Sequence, residues 1–176
     1  YLEDLGNLIK ETIDPHFGFS RYAESLGRSA NTFDELYAAL NAPATYLDTI
    51  LLDILEQHIQ KVQPKLVCIS VPFPGNLYTS LRCGQWIKQH HPTIKVAMGG
   101  GFANTELRSL SDVRVFEFYD FITLDDGEAP LEVLINHIDG KETIENLKRC
   151  FTLVNGEVTY INKYKVKVLS CSPLQT

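Results

Sequence analysis

The chain has 176 residues, of which 44% are hydrophobic and 22% charged, the composition of a globular domain that buries one sizeable core. Its net charge of −6, without a block of Lys or Arg, offers a nucleic-acid backbone little to attract. No apolar run nears the ~20 residues that a membrane span needs, and Tyr1 opens into helical sequence with no signal peptide, so a cytoplasmic protein is expected.

Residues 1–63 read as a helical N-terminal segment. Leu2, Leu5, Leu8, Ile9 and Ile13 recur at helical spacing until Asp14-Pro15 breaks the pattern. Short amphipathic pieces follow over 19–26 and 33–40, the second with Asn31 or Thr32 as N-cap and Asp34 and Glu35 in its first turn. A longer helix is predicted over 44–62, burying a face of Leu47, Ile50, Leu51, Ile54, Leu55, His58 and Ile59.

From Pro64 the pattern becomes strand, loop, helix. Residues 65–71 form a short apolar run, the kind that a parallel sheet buries on both faces. Residues 72–76 read as a loop, with Asn76 as a candidate N-cap, and 77–90 as a helix with Leu81, Trp86 and Ile87 inward. A second strand over 94–98 ends in Gly99-Gly100-Gly101, and a helical stretch over 104–110 leads to a further strand candidate at 113–116. Residues 121–124 make another strand, Asp125 to Pro130 a loop, and 131–138 a helix. This alternation predicts an α/β, doubly wound, mostly parallel core over 64–148, with its ligand edge at the carboxyl ends of the strands. Asn155-Gly156 between 151–154 and 158–161 signals a β-hairpin, read as an appended ribbon or linker over 149–176. Both ends read as cuts within a longer chain, so an exposed sheet edge able to pair with a second copy is expected.

Cys68, Cys83, Cys150 and Cys171 are scattered without a CxxC pair, which indicates neither a zinc site nor a disulfide framework; Cys68 and Cys83 read as small buried hydrophobes. The histidines have no partner at metal-ligand spacing, and neither a Gly-x-Ser-x-Gly elbow nor a phosphate loop is present. Three features on the expected ligand edge carry chemistry. The glycine run after the second strand either admits a ligand close to the backbone or satisfies a turn or close packing. Pro72 to Tyr78 either offers Phe73 and Asn76 to a ligand or is a rigid connection. Asp125, Asp126 and Glu128 are either acid-base or metal-binding carboxylates or the acidic start of a helix.

The order Val67-Cys68-Ile69-Ser70, a helix ending in Ile87-Lys88 before Pro92, Val96-Ala97-Met98-Gly99-Gly100, Asp120-Phe121-Ile122 and Asp126-Gly127-Glu128-Ala129-Pro130-Leu131 resembles the cobalamin-binding Rossmann-like domain of radical S-adenosylmethionine proteins. The similarity covers about residues 64–138. It implies a domain that holds a corrinoid, a methyl carrier, against a downstream barrel of the same chain, with the iron–sulfur cluster and S-adenosylmethionine confined to that barrel. Ser70, Pro72, Gly99, Gly100, Gly101, Gly127 and Glu128 are implied as the cofactor-facing set, with Ser70 and the glycines along the nucleotide tail and the Glu128 carboxylate capping the helix that follows. The family's DxHxxG is not matched: Asp14-Pro15-His16-Phe17-Gly18 is one residue short and follows a helix, and no CxxxCxxC is present, so no catalytic residue or metal ligand is assigned. The alternative is a domain that has lost cobalamin and serves as a substrate-gating or interaction module. A third reading, an independent nucleotide-binding or receiver-like domain, has less support, because no lone Asp ends an early buried strand.

Overall fold

The computed structural model describes residues 1–15, 17–19 and 33–163. Helices α1 (Leu2–Thr12), α2 (Asp34–Asn41) and α3 (Tyr46–Val62) precede a five-stranded sheet. The sheet consists of β1 (Leu66–Ser70), β2 (Lys95–Gly99), β3 (Phe121–Thr123), β4 (Cys150–Val154) and β5 (Glu157–Ile161). Helix α4 (Leu77–His90) links β1 to β2, a short helix α5 (Gly101–Glu106) leaves β2, and α6 (Glu128–Ile138) leaves β3. The strands lie in the order in which they occur along the chain. β1, β2 and β3 are parallel, whereas β4 and β5 are antiparallel, so the sheet is mixed.

Strand alternation divides the core between the two faces. Val71, Val96, Met98, Ile122 and Phe151 belong to one cluster with α2, α3, α4 and the 113–119 segment. Ala97, Phe121, Cys150 and Ile161 belong to another with Val133 and Leu134 of α6 and with Leu147.

Burial of the first helical layer is tied to charge. Thr45 and Asp48 form a capping box at the start of α3. Asp48 Oδ2 also accepts from the Tyr78 hydroxyl at 2.8 Å and lies 3.2 Å from Arg82 Nε. Arg82 donates to the carbonyls of Leu40 at 2.7 Å and Ala39 at 3.2 Å, so one buried guanidinium closes the end of α2 and pairs with α3.

Several sequence expectations need correction. Residues 113–117 are a 3-10 turn rather than a strand: the Asp112 side chain accepts from the Arg114 amide, and the Phe118 amide donates to the Val115 carbonyl three residues back at 3.2 Å. The hairpin is not an appended ribbon, since β4 pairs with β3 and extends the sheet, with the turn at Asn155 (φ 53°) and Gly156 (φ 82°). β1 is an edge strand with Cys68 and Ser70 exposed, because its outer side has no paired strand among the described residues. Ile50, Ile54 and His58 face outward on α3, whose buried residues are Asp48, Leu52 and Ile59. The predicted caps at Asn31 and Thr32, the helical piece over 20–26, His16 and Cys171 lie outside the described residues. No helix among the described residues is long and apolar enough to cross a membrane.

Candidate functional site

The carboxyl ends of β1, β2 and β3 meet at one edge, which the parallel register fixes by setting Ser70 opposite Gly99. Ser70 is solvent-exposed there, and the chain then turns inward at Val71, which is fully buried. The Val71 amide donates to the Gly99 carbonyl at 2.8 Å, and the Val71 carbonyl accepts from the Phe102 amide at 2.9 Å. Pro72 and Pro74 then flank Phe73, which stays 70% exposed. Asn76 makes no side-chain cap; α4 instead runs on from a 3-10 turn at Pro74–Asn76 that already orders the entering backbone.

Across the edge, a polar network holds the loop after β3. The Asn104 side chain grips the Asp125 backbone, accepting from its amide and donating to its carbonyl at 3.4 Å. Asp125, at φ 64°, pairs with Arg108, and Asp126 pairs with Arg149. The Arg149 guanidinium holds the Asp126 carboxyl below the usual carboxylate range. These carboxylates are therefore occupied by arginines, the opposite of the shared-proton arrangement that acid-base chemistry uses. Gly127 is the N-cap of α6 and has no side chain to cap it, and Glu128 lies in the first turn, where its carboxylate complements the helix dipole. Gly127 has no neighbouring atom within 4 Å of where a Cβ would stand.

The structure thus gathers Ser70, Pro72, Gly99, Gly100 and Gly101 on one edge, with Gly127 and Glu128 beyond Asp125 and Asp126. Sequence reading missed Asn104, Arg108, Arg149 and Thr123, whose hydroxyl donates to the Met98 carbonyl at 3.2 Å. Their side chains come from separate segments, and no local motif marks them.

A corrinoid tail along this turn would need open space beside the glycines. At Gly100 (φ 103°) a Cβ would stand 2.7 Å from the Val71 carbonyl oxygen, at Gly101 2.9 Å from the Pro72 oxygen, and at Gly99 3.0 Å from Thr123 Oγ1. Protein occupies all three positions, so the residues present do not fit the tail at this turn. The described histidines do not serve the edge either. His90 and His91 end α4, while His137 lines a cavity of about 370 Å³ with Lys88, Lys95 and Asp120, at the amino ends of β2 and β3. No group of three or more His, Cys, Asp or Glu residues that could hold a metal occurs among the described residues. No family model, curated protein or solved structure matches the chain.

Proposed function

We propose that this chain is a Rossmann-like domain of the cobalamin-binding type from a cytoplasmic radical S-adenosylmethionine protein. In this reading it works as a substrate-gating or interaction module whose strand-end edge faces a downstream iron–sulfur barrel of the same chain. The exposed ring of Phe73, fixed between Pro72 and Pro74 beside Ser70, carries the reading. An aromatic ring held out by a stiff loop loses little entropy on docking and supplies the kind of anchor that dominates protein contacts. The arginine-paired Asp125 and Asp126 support the same view, since they leave no unassigned acid-base pair at the edge. Cluster chemistry and S-adenosylmethionine binding belong to the barrel in this proposal, and the domain itself carries no catalytic residue.

Corrinoid carriage is the second reading: it would use the exposed Ser70, opposite Gly99, for the hydrogen bond to the tail that the resemblance implies, and it would need the tail to find a path other than the filled positions at Gly99 to Gly101. Hydrogen exchange on the full-length protein, purified without oxygen, tests the module reading. Residues 70–78 should exchange faster in Phe73→Asp than in the unaltered protein, at equal iron–sulfur content. Identical exchange in the two would sink the docking role of Phe73, and a parent with no CxxxCxxC and no cluster absorbance would sink the radical-protein assignment.

A further inference from the structure

We infer that Gly99 to Gly101 form a backbone clasp on the exit of β1, and that this closure shuts the nucleotide tail of a corrinoid out of the strand-end edge. The inference rests on the domain assignment proposed above and deepens it, by naming what the edge refuses. Three observations support it independently. The Val71 main chain is bonded on both sides of the turn, to Gly99 at 2.8 Å and to Phe102 at 2.9 Å, and Val71 is fully buried. A Cβ on Gly100 would meet the Val71 oxygen, nitrogen and carbonyl carbon at 2.7, 2.8 and 2.9 Å, and these are backbone atoms that a rotamer change cannot move. The positive φ of Gly100, 103°, strains any L side chain there. The glycines are therefore used up by the protein's own chain. Pro72, with its fixed φ, follows directly, so a retreat of Val71 to open a channel would drag a stiff segment and break both bonds.

Gly127 supplies the internal contrast. Its φ is −70° and nothing stands within 4 Å of its Cβ direction, so a side chain there meets no obstacle. If the clasp is what the glycine run is for, Gly100 and Gly127 must respond oppositely to the same small substitution, with no ligand present.

The test uses the full-length protein, hydroxocobalamin and cobinamide, the latter a corrinoid without the nucleotide tail. After incubation, desalting and an absorption spectrum, hydroxocobalamin should not be retained; retention of neither corrinoid, or of cobinamide alone, supports exclusion of the tail. In the ligand-free protein, Gly100→Ala should lower the Tm of the domain by roughly 5–10 °C and Gly127→Ala by less than about 2 °C. Should Gly100→Ala fail to fold, that outcome agrees with the clasp, and Gly101→Ala, which meets one oxygen without a positive φ, should still lower the Tm measurably. One equivalent of hydroxocobalamin retained by the unaltered protein overturns the exclusion. Equal Tm values for Gly100→Ala, Gly101→Ala and Gly127→Ala overturn the clasp. Because the Tm comparison needs no cluster, it stands or falls separately from the radical-protein assignment.

Discussion

Two aspartate–arginine networks in this chain use the same chemistry at opposite depths. Asp48 and Arg82 join α2, α3 and α4 with side chains only 1% and 6% exposed, whereas Asp125 and Arg108 meet at the strand-end edge with side chains 31% and 55% exposed. Water screens the second pair and is denied to the first, so the first is a structural commitment and the second a reversible one. The difference separates a face that the molecule cannot rearrange from one that can meet a partner cheaply. Between them lies Asp120, which accepts from Lys88 Nζ at 2.8 Å, Lys95 Nζ at 3.1 Å and the Val96 amide at 2.9 Å.

Burial should grade the cost of breaking each network. Arg82→Met leaves the Asp48 carboxylate in the core without its cation, and should cost about 3–5 kcal/mol in urea unfolding at pH 7. A cost below about 1 kcal/mol would show that the buried network is not structural. Asp120→Asn should cost less, about 1–3 kcal/mol, through weakened charge-assisted hydrogen bonds. Burial raises the Asp120 pKa, but Lys88, the Val96 amide and Lys95 together outweigh that, and its folded value is depressed. Its contribution is therefore present above the unfolded pKa, about 4, and is lost as pH falls through the lower folded value. Glu56, lowered to about 2 by Gln60, His91 and Trp86, acts with the same sign. Stability of the unaltered protein should thus decline below about pH 4 more steeply than that of Asp120→Asn, and parallel acid curves would remove Asp120 from the account. Smallest of all, Arg108→Ala should change stability by less than about 1 kcal/mol, as exposed pairs do. A larger loss would show that the edge network holds the fold together and would erase the contrast.

The parts of the fold with strong local signals were legible. α4, β1, β2 and the Asn155-Gly156 hairpin stand where periodicity and turn chemistry put them, with strand ends shifted by about one residue. What was not legible depends on distant segments. Val113 to Phe116 alternates like a strand, yet Phe121 to Thr123 fills the place beside β2 and the Asp112 side chain bends the earlier run into a turn. β1 is apolar enough for the middle of a sheet, but hydrophobicity does not report which of a strand's two edges is paired, and Cys68 proves exposed. At the site, glycines after a strand mark close approach, and the sequence left open what approaches. It could not reveal that the approaching group is the Val71 backbone rather than a ligand, because only the folded chain brings them together.

The order of the strands bears on how the molecule is assembled. Every ladder, from β1–β2 to β4–β5, joins strands that are neighbours along the chain, so no strand must wait for one made much later. Closing such short intervals costs little loop entropy, and a nascent chain could add each strand to the last as it emerges from the ribosome. Folding of the sheet should then advance from β1 toward β5, with the clasp at Gly100 closing as soon as β2 is in place and before the hairpin has been synthesised.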